Sequence, residues 1–151
     1  MRDQEWLERR AEQIWKLFFP DIEKRDVSVV FKGKWKNKFG HIKKKKNRRT
    51  GKEETEIAIN SLFSNLKVPE YVVQVTLAHE IVHYMHGFFS HLPKKHKYPH
   101  KGRVVDKVLE EKGFGYMLRQ EKEWVKKEWW NVYKEISGKE RKRIEIFGFR
   151  F

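Results

Sequence analysis

Apolar residues first recur at helical spacing near the start of the chain, where Leu7, Ala11, Ile14, Trp15 and Phe18 share one side of residues 3–19. Asp3 is placed to cap that helix and Pro20 to end it. The period then drops to two. Val27–Lys32 is β-branched and reads as a strand, and Lys34–Ile42 continues it as a hairpin through Gly33. In that hairpin Lys32, Lys34, Lys36 and Lys38 share one face, while Phe31, Trp35 and Phe39 share the other. The alternation assigns Trp35 to the core. Lys43–Lys52 has no apolar anchor and carries a Thr-Gly turn signal, so it is expected to be an exposed, mobile loop. A further strand is expected at Glu54–Asn60, with Ile57 and Ile59 on one face.

Pro69 opens a helix expected to reach Met85, with Gly87 as its stop. Val72, Val75, Thr76, His79, Val82, His83 and His86 project to one side of it. Val73, Leu77, Ile81, Tyr84 and Phe88 project to the other. A helix apolar on both sides belongs inside a domain. Residues 88–100 form a loop with Pro93 and Pro99, and a second helix covers about 101–112 with Val104, Val105, Val108 and Leu109. A third spans about 116–136, with Val125, Trp129, Val132, Tyr133 and Ile136 inward, and Arg143–Phe151 reads as a terminal strand. There are no repeats. The expectation is one α+β domain over 1–151: an N-terminal helix (3–19), a core (27–115), and a C-terminal helix and strand (116–151).

Composition narrows the chemistry. Among 151 residues, 38% are apolar and 37% charged, and there is no cysteine, so a disulfide framework, a thiol nucleophile and a cysteine metal site are excluded. No apolar run approaches the roughly 20 residues that span a bilayer, and the charged start does not read as a signal peptide. A cytoplasmic protein with no membrane partner is therefore expected. Abundant Lys and Glu also suit a thermophile. The net charge of +14 concentrates polyanions, which makes nucleic acid the natural partner to consider. The charge gathers between Val27 and Lys52, a stretch without Asp or Glu that holds Lys34, Lys36, Lys38, Lys43, Lys44, Lys45, Lys46, Arg48 and Arg49. The plainer alternative is a solvated lysine-rich loop.

Six of the seven histidines lie between residues 79 and 100. The sharper signal is His79-Glu80-Ile81-Val82-His83 inside an expected helix. Residues four apart lie on one helix face about 6 Å apart along the axis, so both imidazoles can converge on one Zn2+. Glu80 is swung clear of the ion yet within reach of a water beside it, as a general base. The alternative is a pair of hydrogen-bonded core histidines beside a glutamate that reaches solvent. Two ligands leave a catalytic zinc one short. His86 lies about 10 Å along the axis from His79 and cannot share its ion. His91 remains open through the turn at Gly87, and Glu110 or Glu111 would give a two-His-one-Glu site. His100 is the stronger choice because Pro99 and a packed helix fix its backbone.

Four stretches resemble the SprT-like family of zinc metallopeptidases: Phe39-Gly40; Glu56–Asn60; Pro69 through His83; and His100-Lys101-Gly102-Arg103-Val104 with Gly113 behind it. Together they span roughly residues 27–115. Val104 stands where the family has an aromatic, residue 39 is Phe rather than small, and the zinc ribbon of many members is not present. The resemblance implies a zincin-like fold, with a small sheet against the His-Glu-x-x-His helix. It implies a zinc metalloendopeptidase with His79, His83 and His100 as ligands and Glu80 as catalytic base. It also implies action on DNA-bound or DNA-crosslinked proteins. Glu54–Asn60 is the strand expected to pair with an extended peptide substrate. Two other classes remain: a minimal gluzincin-type peptidase with a Glu third ligand, and a non-enzymatic basic nucleic-acid-binding module.

Overall fold

The structure, a computed structural model, describes residues 1–138; the strand expected at Arg143–Phe151 lies outside them. Helix α1 (Gln4–Phe18) begins where Asp3 Oδ1 accepts the Trp6 amide at 2.8 Å. Its apolar stripe (Leu7, Ala11, Ile14 and Trp15) is buried as the spacing requires. Three strands follow, β1 (Val27–Phe31), β2 (Gly40–Lys46) and β3 (Glu53–Ile59), in the sheet order β1-β3-β2. β3 pairs in parallel with β1 and antiparallel with β2. Helix α2 (Glu70–Met85) packs beneath this mixed sheet. It is flanked by α3 (Val104–Glu111) and by one helical run, α4 (Gly115–Trp124), a π-helical turn (Val125–Trp129) and α5 (Trp130–Ser137). The architecture is α+β. No helix among the described residues is long and apolar enough to cross a membrane.

The sheet departs from the expected order. No β1–β2 hairpin forms through Gly33, and Lys34–Lys38 is not strand. The reason lies in β3, where residues 55–59 are all buried. A strand covered on both faces takes the middle of a sheet, so the chain must carry residues 32–39 from one edge to the other before returning. The hairpin is instead β2–β3, closed by the turn at 47–52, where Asn47 Oδ1 accepts the Arg49 amide at 2.9 Å. Lys43–Lys46, expected in a mobile loop, is therefore paired strand. Trp35 is only half-buried, lying beside His41 with ring centroids 5.4 Å apart.

Glu56 sits on the sheet face turned away from α2 and is itself buried. Lys32 Nζ (3.1 Å), His41 Nε2 (3.3 Å), Lys45 Nζ (3.4 Å) and Lys43 Nζ (3.8 Å) surround its carboxylate. Burial alone would raise its pKa, but the bonds from Lys32, His41 and Lys45 prevail and hold it at about 2.

The crossing segment 32–39 is pinned by one buried amide. Asn60 Nδ2 donates to the Trp35 carbonyl at 2.6 Å and the Lys38 carbonyl at 3.0 Å, while its Oδ1 accepts the Leu62 amide at 3.0 Å. Trp129 Nε1 donates to the Lys36 carbonyl at 2.8 Å, and its ring meets Phe39 and Phe63 edge-on. Asn60→Ala should cost about 2–4 kcal/mol by leaving these buried groups unpaired. Urea unfolding measures it, and a loss below about 0.5 kcal/mol would contradict the clip.

Candidate metal centre

Helix α2 buries aliphatic groups on both sides; Val72, Val73, Leu77, Ile81 and Val82 are almost wholly inside. Each such residue contributes about 1.5–3 kcal/mol, enough to hold polar neighbours in the interior. His83 and Glu80 are buried with them and His79 is half-buried. Past the helix, Gly87 turns the chain at φ +83°. A Cβ there would collide with the Pro93 backbone. The following segment folds back and delivers His100 over α2. A 3-10 turn (Lys101–Arg103) with Gly102 and Arg103 at positive φ then leads into α3, which is anchored by Val105 and Leu109.

The three imidazoles meet at their Nε2 atoms. His79–His83 is 3.0 Å, His83–His100 is 3.0 Å and His79–His100 is 3.1 Å. Hydrogen bonding cannot satisfy this triangle. Each Nε2 carries either a proton or a lone pair, and two states cannot alternate around three corners, so at least one contact sets like against like. A cation at the common point removes the conflict, because all three nitrogens then present lone pairs. The three Nε2 atoms would hold a divalent ion such as Zn2+ at ordinary metal–nitrogen distances of about 2.0–2.1 Å. Burial, then the neighbouring rings, pushes His79 down to about 4 and His83 down to about 3, so both are neutral and ready to ligate. His83 Nδ1 is buried without a hydrogen-bond partner among the described residues.

Among the described residues these three histidines form the one cluster with metal-ligating geometry. His91 turns away and meets the Glu23 carbonyl at 2.9 Å. Glu110 and Glu111 are exposed, with Glu110 3.5 Å from Arg103, so the two-His-one-Glu alternative has no structural basis. His86 caps α2 and packs on His96 with ring centroids 4.6 Å apart. It lines neither of the two cavities at the site.

Glu80 lines the same centre, and burial drives its carboxyl up to about 8, with Lys38 pulling the other way. Strand β2 approaches it closely. A Cβ at Gly40 would stand 2.9 Å from the Ala58 carbonyl oxygen, 3.1 Å from Thr76 Cγ2 and 3.3 Å from Glu80 Oε1. Only glycine allows this strand to lie against the carboxylate. A cavity of about 450 Å³ opens on the α4 side of the centre and one of about 270 Å³ on the side of Phe88 and Phe89. Gly40, His79, Glu80 and His100 line both. The strand beside the centre is thus the edge strand β2, not β3, whose two edges are already paired. Sequence reasoning also missed Asp106 and Glu121, which line the larger cavity.

The basic residues spread over several surfaces. Lys43 and Lys45 face Glu56. Lys36 Nζ stands 3.8 Å from the Trp130 ring centroid, and Lys38 Nζ 4.4 Å from that of Trp35. Lys34, Lys44, Lys46, Arg48 and Arg49 are exposed. A scan against protein-family models matches none, and searches of curated proteins and of solved structures return no match.

Glu80 gives the centre a pH signature when no ion is present. Its folded pKa lies above the unfolded value of 4.5, so its contribution to stability is complete below 4.5 and is lost as pH rises through about 8. Metal-free Glu80→Gln should therefore gain stability over the metal-free parent progressively across that range. A gap in melting temperature that stays constant with pH would contradict the buried carboxyl.

Proposed function

We propose that this protein is a zinc-dependent metallopeptidase with a zincin-like fold, similar in kind to the SprT-like enzymes. The supporting observation is the convergence of His79, His83 and His100 on one point beside the buried Glu80 carboxyl. Zn2+ suits three neutral imidazoles, and when bound it supplies Lewis acidity, polarising a carbonyl oxygen and acidifying a water. The chain supplies the remainder. Glu80 takes the water's proton and returns it to the leaving amine. A buried carboxyl is suited to that exchange, since it gains basicity from its surroundings.

The edge of β2 that no described strand pairs with runs past the centre, so an extended peptide can add to the sheet there, with its backbone bonded to β2 and its side chains directed into the two cavities. Gly40 keeps the path clear. Glu80→Gln should retain zinc and lose at least about a thousandfold in peptide hydrolysis, whereas His83→Ala should lose the metal. Turnover of a quenched-fluorescence peptide by Glu80→Gln at the parent rate would defeat the assignment.

A nucleic-acid face is the second element of this reading. It is favoured by the β2–β3 hairpin, whose exposed Lys44, Lys46, Arg48 and Arg49 make no ion pair with any described residue; the two lysines lie on the strand that borders the cleft and the two arginines in the turn that follows it. Such an edge can hold DNA backbone while the centre acts on a protein attached to it. Binding to duplex DNA should weaken with salt, and replacing Lys46, Arg48 and Arg49 with Glu should flatten the log–log slope by about 2–3. Affinity independent of salt would remove the DNA reading and leave the peptidase intact.

A further inference from the structure

The two cavities flanking the centre differ in chemistry. The smaller one is walled by Ile42, Phe88, Phe89 and Pro99 and, among the described residues, contains no charged group other than Glu80. The larger is lined by Val75 from α2, Phe39 from the crossing segment and Leu118 from α4, with two carboxyls, Asp106 and Glu121, set among them. Their situations are unlike. Asp106 Oδ2 already accepts Lys122 Nζ at 2.7 Å and lies 4.0 Å from Arg103 Nε. The Glu121 carboxyl has neither a hydrogen bond nor an ion pair among the described residues, while its backbone carbonyl accepts the Val125 amide within the helix. The other cation on the cavity wall, Lys38, is exposed at the rim over Trp35.

Glu121 is therefore a half-buried acid without a cation of its own. Its position on α4 follows from helical spacing: Leu118 lies one turn before it on the buried stripe, which turns Glu121 inward beside the same cavity. Burial raises its carboxyl to about 7, with Asp106 adding to the rise and Lys122 opposing it. An ionised carboxylate in such a wall is costly to leave unpaired and gains most from a cation brought in by a ligand. A long basic side chain meets both demands, since its methylene stem can lie on Val75 and Leu118 while its charged head reaches the acid.

We propose that Glu121 is a specificity-determining residue that selects a substrate with Lys or Arg beside the scissile bond, on the α4 side of the metal centre. The proposal rests on the peptidase reading for its biological meaning, but pocket recognition can be measured without turnover. Arginine hydroxamate and norleucine hydroxamate share a metal-chelating group and differ mainly in the charged end of the side chain. On zinc-loaded protein, calorimetry should show the arginine compound binding about tenfold tighter or more. The ratio should fall toward one in Glu121→Gln and below one in Glu121→Lys. A ratio measured within one protein sample is insensitive to the fraction correctly folded.

Cleavage of a peptide library by the zinc-loaded protein should likewise enrich Lys or Arg at a position flanking the cut, an enrichment lost in Glu121→Gln. Equal affinity of the two hydroxamates, an unchanged ratio in Glu121→Gln, or no binding of either would overturn the pocket assignment. Discrimination between the hydroxamates without any peptide cleavage would uphold the pocket and overturn the peptidase reading.

Discussion

Everything at this centre depends on burying one helix on both sides. Helix α2 is surrounded by α1, α3, α4 and the sheet, so His83 and Glu80 are held in the interior and His79 at its margin. His79 and His83, one turn apart, must point to the same side, and desolvation keeps them unprotonated. Two neutral imidazoles then present lone pairs toward a single point, and His100 arrives from the far end of the 88–100 segment to complete a triangle that protons cannot satisfy. Glu80, between them in sequence, is buried by the same packing. Aliphatic burial thus orders the imidazoles that could hold a metal and also raises the basicity of the carboxyl.

The second requirement is a strand close to that helix. Gly40 lets β2 lie against Glu80 with no side chain between. The clip from Asn60 and Trp129 to the crossing segment fixes where β2 begins. On the opposite sheet face, Glu56 gathers Lys32, His41, Lys43 and Lys45, so part of the cationic stretch is neutralised internally. Lys44, Lys46, Arg48 and Arg49 of the β2–β3 hairpin have no such partner among the described residues. One edge strand therefore borders the two cavities, and its hairpin carries exposed positive charge.

The helices were legible in the sequence because a 3.6-residue period survives in single stretches. The apolar stripe of α1, the two-sided burial of α2 and the stop at Gly87 are all local properties. His100 was legible for a related reason, since Pro99 and the valines of α3 mark where the chain is held. Strand order was not legible. Period two tells which residues share a face and says nothing of which strand lies between the others, so Val27–Ile42 read as a hairpin although its halves occupy opposite edges. The run Thr55–Ile59 did carry a usable signal, because apolar residues on both faces mark a central strand. Lys43–Lys46 was misread because an edge strand with one face wet tolerates a run of lysines, four of whose neighbours across the ladder are acidic or polar. Glu121 was overlooked as one charge in a charged helix; its position three after Leu118 and four before Val125 marks it as an acid on the inward stripe.

The most direct test is anomalous X-ray diffraction from crystals of the protein purified without added metal. A single peak about 2.0–2.1 Å from Nε2 of His79, His83 and His100, with an absorption edge for zinc, is the result expected. A structure in which His100 points to solvent, or in which the three rings are joined only by water with no anomalous signal, would contradict it.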